Sequence, residues 1–209
     1  MPSIETLVTF ISMSTFLCFL PGPDNILVLN QSVINGHKSG ILITIGLCIG
    51  LVIHTSLASL GIAAIIQTNA VALEIIRLLG VFYLSYLAWE AFKAKPIHLA
   101  DNNTFYDKKK LIKKGLLMNL SNPKVIIFFL AFLPQFTTDN AINISDSLQL
   151  LYLGLIFVVI AFIVFALISY LSGFLNKMIS NKPAIQTALN KTTCLIFIVL
   201  AINLFLSQF

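Results

Sequence analysis

The chain has 209 residues, of which 58% are hydrophobic and 10% charged, and its mean hydropathy is +0.95. A soluble domain carries about 25% charged residues, so this composition excludes an ordinary soluble protein. Residues 39–73, 147–176 and 192–209 contain no Asp, Glu, Lys or Arg. Because about 20 mainly apolar residues in a helix span a bilayer, we predict an all-α integral membrane protein. The net charge of +5 comes from lysines beside the apolar runs and does not indicate nucleic-acid binding.

Apolar runs separated by polar segments predict six transmembrane helices in a single membrane domain, residues 1–209. The first run has no basic residue before it and no small-residue cleavage site, so we interpret it as a retained helix rather than a secretory signal. A basic loop, residues 93–111, separates two halves of three spans each, about 5–92 and 112–208. The predicted spans are 5–33, 40–66, 70–92, 112–135, 149–174 and 187–208.

Lysines are concentrated on one side of the predicted spans. Eleven lie in or beside the segments that follow spans one, three and five, and none lies in the segments on the other side. Because basic segments stay in the cytoplasm, both termini are predicted to face outward. The lysines that are also expected to contact anionic lipid are Lys108, Lys109, Lys110, Lys113 and Lys114.

Helices 1 and 4 are predicted to be broken by proline, in the segments LPGPDN, 20–25, and LSNPK, 120–124. Proline removes a backbone hydrogen bond and clashes with the carbonyl one turn earlier, and lipid tolerates this only where protein or water covers the break. Three spans per half give the halves opposite topology, and such inverted repeats with broken helices are common in transporters. The residues assigned to the breaks are Pro21, Gly22, Pro23 and Pro123.

One charged side chain follows each break at a matching place, Asp24 in the first half and Lys124 in the second. A charge at mid-bilayer costs roughly 2.5–3.5 kcal/mol on insertion scales, and a shared cavity or a mutual pair lowers that cost. We predict that the two residues face one another and that a substrate or proton competes for the pair. The alternative is that Asp24 caps the resumed helix and Lys124 extends to an interface. The broken helix ends offer partial charges of both signs, which suit a zwitterion.

Other polar residues near the predicted breaks allow two interpretations each. His54 shares a stripe with Gly46 and Gly50, spaced by four residues, and small residues at this spacing favour close helix packing. The histidine is either a hydrogen-bonded packing residue or a proton relay. Asn119 and Asn122 either satisfy freed backbone groups or bind substrate.

Several further residues are expected to be structural. Glu74 and Arg77, three apart on one predicted helix, indicate a local ion pair. Cys18, Cys48 and Cys194 each lie in an apolar run without the spacing of a redox or zinc motif, so packed thiols are expected and no metal or cofactor is predicted.

Three motifs in order carry a family resemblance: PGPDNILVLNQSVINGHKSGILITIGLCIGLVIH at 21–54, LGVFYLSYLAWEAFK at 79–93 and KGLLMNLSNPKVIIFFLAFLPQF at 114–136. Over nearly its whole length the chain resembles the LysE/RhtB family of bacterial amino-acid exporters. The residues that match the family pattern are Ser32, Gly36, Gly40, Gly46, Gly50, His54, Asn119, Asn122, Pro123, Lys124, Pro134 and Gln135.

The resemblance implies a secondary transporter of the bacterial cytoplasmic membrane that exports amino acids or close derivatives in exchange for protons, rather than an enzyme. It also implies a loose tendency to form a homodimer. One acid and one base at the breaks suit a neutral zwitterion, so an RhtB-like translocator of threonine or homoserine is expected. The residues expected to bind substrate or couple its movement are Asp24, Asn25, His54, Asn119, Asn122 and Lys124.

Three other classes of function remain alternatives at this point. A metal or inorganic-ion permease needs several converging oxygen, imidazole or thiolate ligands, and one aspartate, one histidine and scattered asparagines fall short. A membrane-embedded enzyme or redox relay needs a paired cysteine motif or a nucleophile with its base. A helical assembly factor without transport leaves the two predicted mid-membrane charges without a purpose beyond packing.

Overall fold

The computed structural model describes residues 2–62, 70–93, 107–137, 145–174 and 183–206. Helices make up nearly all of these ranges, no strand occurs in them, and the predicted all-α class is confirmed. The helices are α1 (Ile4–Phe19), α2 (Pro23–Asn35), α3 (His37–Leu57), α4 (Ala70–Lys93), α5 (Lys108–Leu120), α6 (Pro123–Ile127), α7 (Asp146–Tyr170) and α8 (Pro183–Leu206). A π-helical turn, Ala58–Ile62, extends α3, whereas α6 continues through a π-helical turn, Phe128–Phe132, and a 3-10 turn, Leu133–Phe136.

Membrane-spanning length is reached in two ways. By length and composition, α3 with its extension and α7 can each cross a membrane alone, and two bent helix pairs can each count as one span. The pairs are α1 with α2, bent by 56°, and α5 with the helix after Pro123, bent by 55°. Helices α4 and α8 have 24 residues each, about 36 Å at 1.5 Å per residue, and they coincide with predicted spans three and six. Six spans in two inverted repeats remain a prediction.

The observed helix ends differ from the predicted spans by a few residues. One difference is at the predicted basic loop 93–111, where α5 already begins at Lys108 because the Asp107 carboxylate accepts a hydrogen bond from the Lys109 amide at 3.1 Å. The run of lysines from 108 to 114 therefore lies on a helix rather than in a loop. Three of the counted lysines lie outside the described residues: Lys95, Lys177 and Lys182.

Glycines bring α3 and α5 into direct backbone contact. A Cβ atom on Gly46 would collide with the carbonyl of Ile112, and one on Gly115 would collide with the carbonyl of Ile43. A Cβ atom on Gly50 would lie 2.6 Å from Oδ1 of Asn119. The predicted packing role of Gly46 and Gly50 is confirmed, and the partner helix belongs to the other half of the chain.

Aromatic side chains fill the core between α1, α7 and the segment after α6. The Phe128 ring stacks on Phe157 with centroids 4.3 Å apart, and the Phe10 ring meets Phe136 edge-on at 5.1 Å. Phe129 contacts Phe128 edge-on at 5.4 Å. Offset and edge-to-face contacts of this kind add to the stabilisation from burial, so this cluster closes the bundle on one side of the broken helices.

The structural roles predicted for other residues are also observed. Glu74 and Arg77 form an ion pair on α4. Cys18 is buried, Cys48 and Cys194 are half-buried, and all three are free thiols.

Candidate functional site

The first break separates α1 from α2 and is held by an asparagine. Gly22 has an extended backbone, and Pro23 starts α2 at the position where its missing N–H costs nothing. Across the bend, the Asn25 side chain donates a hydrogen bond from Nδ2 to the carbonyl of Cys18 at 2.7 Å. Asn25 therefore satisfies one carbonyl that the break frees, and its own Oδ1 is left without a partner.

The second break separates α5 from α6 and uses a different cap. The Asn122 side chain accepts a hydrogen bond at Oδ1 from the Lys124 amide at 3.0 Å, which makes it the N-cap of α6. The Asn122 Nδ2 group is buried beside the Asp24 carboxylate, without a hydrogen bond of good geometry. Sequence reasoning offered backbone capping or substrate binding for this residue, and the structure shows the capping.

The two breaks lie together inside the molecule. The Lys124 ammonium donates hydrogen bonds to the carbonyls of Leu17 at 3.0 Å, in the last turn of α1, and of Leu20 at 3.2 Å, which follows that turn as its C-cap. Asn119, at the end of α5, donates from Nδ2 to Oδ2 of Asp24 at 3.1 Å. A cation at the carbonyl end of a helix is favourable, so each half of the chain completes the break of the other.

Asp24 and Lys124 are neighbours whose charges act on one another, but they do not form an ion pair within 4 Å. The predicted direct pair is therefore not formed in this conformation, because the long lysine side chain reaches back to the α1 carbonyls instead. The alternative expectation for Lys124, an extension to the membrane interface, is also not observed. The Asp24 side chain is only 3% exposed and does not cap α2.

Several buried polar atoms in and next to the two breaks, including one of Asp24, have no hydrogen-bond partner. Leaving such an atom unpaired costs about 1–3 kcal/mol, which a protein tolerates where the atom meets a ligand during function. Both acceptors and donors are represented, so both ends of a zwitterion can be recognised. The atoms are Oδ1 of Asp24, Oδ1 of Asn25, Nε2 of His54, Oδ1 of Asn119 and Nδ2 of Asn122.

His54 joins this polar cluster to the aromatic core. Its ring stacks on Phe129 with centroids 5.7 Å apart, and it lies within electrostatic range of the Asp24 carboxylate. The structure supports the packing interpretation directly, and the unpaired Nε2 leaves the proton-relay interpretation open. One wall of the cluster is thus polar and the other is phenylalanine.

Sequence reasoning missed several buried polar groups on α1 and α2. Gln31 on α2 and Ser14 on α1 are buried, and each has a side-chain atom without a partner. Asn30 and Asn35, also on α2, each have one unpaired buried atom. The available signal was the seven-residue spacing from Asp24 to Gln31, which is two helical turns and places both on one face once α2 is known to begin at Pro23.

Lys124→Met is expected to destabilise the protein. The change leaves the carbonyls of Leu17 and Leu20 buried without their donor, at about 1–3 kcal/mol for each unpaired group. Thermal melting in detergent should show a midpoint lowered by several degrees relative to the exposed control Lys38→Met. Equal midpoints for the two variants would show that the ammonium does not hold the break together.

An all-helical chain whose two bent, apolar helix pairs meet at buried charges has the architecture of a membrane translocator. The model of the family described as LysE type translocator matches residues 15–208, and the chain belongs to this family. It is 31% identical over 198 residues to the leucine efflux proteins of Salmonella choleraesuis (strain SC-B67) and Salmonella typhimurium (strain LT2), covering 94% of this chain and 92% of each relative. It is 29% identical over 200 residues to that of Enterobacter sp. (strain 638), with 94% and 93% covered. No solved structure matches the chain significantly.

The family membership confirms the resemblance found in the three sequence motifs. It also agrees with the long apolar helices, so the protein is a multi-pass membrane protein of a transporter family.

Proposed function

We propose that the protein exports neutral amino acids across the bacterial cytoplasmic membrane as a secondary active transporter. The observation that carries the proposal is the meeting of a buried carboxylate, a buried ammonium and unpaired amide atoms where the two helix breaks touch. Relatives over nearly the full length are named leucine efflux proteins, which supports an amino acid as the substrate.

In the proposed site, the ammonium group of the amino acid binds the acceptors on Asp24, Asn25 and Asn119. The free oxygen Oδ1 of each of these residues is buried and unpaired. The carboxylate of the amino acid binds the Nδ2 donor of Asn122 and the first turn of α2, whose first backbone N–H groups have no partner within the helix and favour an anion. Lys124 adds positive charge on the same side.

The side chain of the substrate faces the phenylalanine wall next to His54 in this proposal. Phe129 contacts both His54 and Phe128, and these rings offer no hydrogen-bond partner for a hydroxyl group. The wall therefore favours an aliphatic side chain such as that of leucine over the threonine- or homoserine-like substrate that the sequence indicated. A buried wall of this kind discriminates modestly, because a hydrophobic pocket rejects an added hydroxyl only weakly.

Proton coupling follows from competition at Asp24. A carboxylate that accepts either a proton or a substrate ammonium, but not both, exchanges the two in opposite directions. Asn119 already occupies Oδ2, so the competition takes place at Oδ1. Alternating access of this site to the two sides of the membrane completes the proposed proton antiport.

The proposal includes an orientation and two partners. The lysines at the ends of α3, α4 and α5 support an orientation with those ends in the cytoplasm and both termini outside. The lysine run at the start of α5 contacts anionic lipid headgroups. The transporter is proposed to act as a homodimer, on the family resemblance.

Efflux from preloaded vesicles tests the proposed function. Vesicles that contain the protein should lose labelled leucine faster than empty vesicles when a proton gradient is imposed, and a protonophore should abolish the difference. Threonine and homoserine should be exported more slowly, and a basic amino acid least. Divalent metals in the same panel test the ion-permease alternative. Metal release without release of any amino acid would contradict the proposal.

A further inference from the structure

One face of α2 carries polar side chains at intervals from the proposed site to the end of the helix, with buried Val28 between Asp24 and Gln31. Gln31 follows Asp24 by seven residues and Asn35 follows Gln31 by four, so all three lie on the same face. At 1.5 Å per residue the row is about 16 Å long. It ends beside Gly36 and Lys38, at the lysine-rich side of the bundle.

The unpaired amide groups on this face destabilise the folded protein unless a polar ligand or water binds them. Gln31 is 4% exposed and its Nε2 group has no partner, and the buried Nδ2 group of Asn35 also has none. An aliphatic residue at either position would avoid the cost of an unpaired buried amide, about 1–3 kcal/mol. Within the described part of α2, unpaired amide donors therefore line the face that leads away from Asp24.

A hydroxyl contact joins α2 to α7 beside Gln31. The Ser32 and Ser169 hydroxyls are 2.9 Å apart, and Ser169 donates to the carbonyl of His37 at 2.7 Å. The His37 ring stacks on Tyr170 with centroids 5.0 Å apart. Gly40 makes the contact possible, because a Cβ atom at this position would collide with both serine hydroxyls.

We infer that the α2 face formed by Asp24, Gln31 and Asn35 is a binding path for the ammonium and carboxylate groups of the substrate, and that the Ser32–Ser169 contact restricts it beside Gln31. Neutral amides offer a donor and an acceptor without a full charge, so they hold a zwitterion weakly enough to release it. The inference rests on the proposed function and adds to it the route between the site and the lysine-rich side of the membrane.

Thiol labelling tests the path without an export assay. In a background whose three native cysteines are replaced by serine, Gln31→Cys is compared with Val33→Cys, which lies on the opposite face of α2. A charged, membrane-impermeant thiol reagent applied from the lysine-rich side should modify Cys at 31 about tenfold faster, the factor given by about 1.4 kcal/mol of easier exposure. Saturating leucine should slow this reaction and leave the control unchanged.

Removing the hydroxyl contact should open the path further. Ser32→Ala with Ser169→Ala removes hydrogen bonds of about 0.5–1.5 kcal/mol each, so labelling at position 31 should rise about two- to tenfold. The matched control is Ser121→Ala, whose hydroxyl is exposed and bonds only within its own segment. No rise would show that the contact does not restrict the path.

The outcomes separate this inference from the proposed function. Equal labelling at positions 31 and 33, with leucine export intact, overturns the path and leaves the export proposal standing. Fast labelling at 31 with no export and no protection by amino acids means that a polar path exists and the proposed substrate is wrong. If Gln31→Cys does not melt cooperatively, Asn35→Cys replaces it with the same expected result.

Discussion

Gly115→Val is expected to prevent the protein from reaching a stable folded state. The α3 backbone lies so close that even a Cβ atom on residue 115 would collide with the carbonyl of Ile43, and valine adds two methyl groups to that collision. Overpacking a well-filled interior costs about 1–3 kcal/mol where side chains can adjust. Here the neighbour is backbone, so the whole helix has to move. Size-exclusion chromatography in detergent should show aggregated or absent protein.

The expected loss of folding comes from the collision at position 115 and not from replacing a glycine as such. A control variant separates the two causes. A Cβ atom on Gly173 meets nothing within 4 Å, so Gly173→Val should leave the chromatographic profile and the melting midpoint close to the original. The milder pair Gly46→Ala and Gly115→Ala probes the same contact from both helices. Because both substitutions act on one interface, their combined cost should be less than the sum. Full additivity would mean that α3 and α5 are not in the contact described.

Asp24→Asn is expected to abolish most export without destabilising the protein. The substitution keeps the size and the hydrogen bond from Asn119 but removes the charge that, in the proposed site, attracts the substrate ammonium. A hydrogen bond to a charged group is worth about 1.5–3 kcal/mol, which corresponds to a 10- to 100-fold weaker interaction at about 1.4 kcal/mol per factor of ten. Removing a buried charge also lowers the cost of insertion, so the melting midpoint should stay equal or rise.

Two measurements separate this effect from a general loss of protein. Efflux rates are normalised to the amount of folded protein in the vesicles, and Glu5→Gln, which neutralises an exposed carboxylate, should export normally. If Asp24 carries the proton, the small remaining export by Asp24→Asn should no longer respond to the proton gradient. Normal, gradient-driven export by this variant would remove Asp24 from the mechanism.

The sequence predicted the breaks correctly because proline and glycine act locally. The matching positions of the two breaks in the two halves also predicted that the breaks meet. They did not predict which groups the Lys124 ammonium binds. Which acceptor a long side chain reaches depends on the bend of each helix pair, 56° and 55° here, and no local pattern specifies an angle. The stripe of Gly46 and Gly50 likewise predicted close packing, whereas the identity of the partner helix required the three-dimensional arrangement.

Gln31 was overlooked for a different physical reason. A helical face is defined only after the helix has a starting point, and the span predicted over 5–33 is in fact two helices with separate axes. Counted from Pro23, Gln31 and Asp24 share a face. Counted from the start of α1, the kink disrupts the register, so Gln31 resembles an isolated polar residue in an apolar run.

The bare contact between α3 and α5 determines which parts of the molecule can move. With no side chains between them at Gly46 and Gly115, these two helices have nothing to slide over and nothing to repack. Helices α3 and α5 therefore form a rigid pair, with one helix from each half of the chain. If the protein is the transporter proposed above, its change of conformation is therefore expected to keep α3 and α5 together and to move α1 and α2 against them, which would break the contact between Ser32 and Ser169.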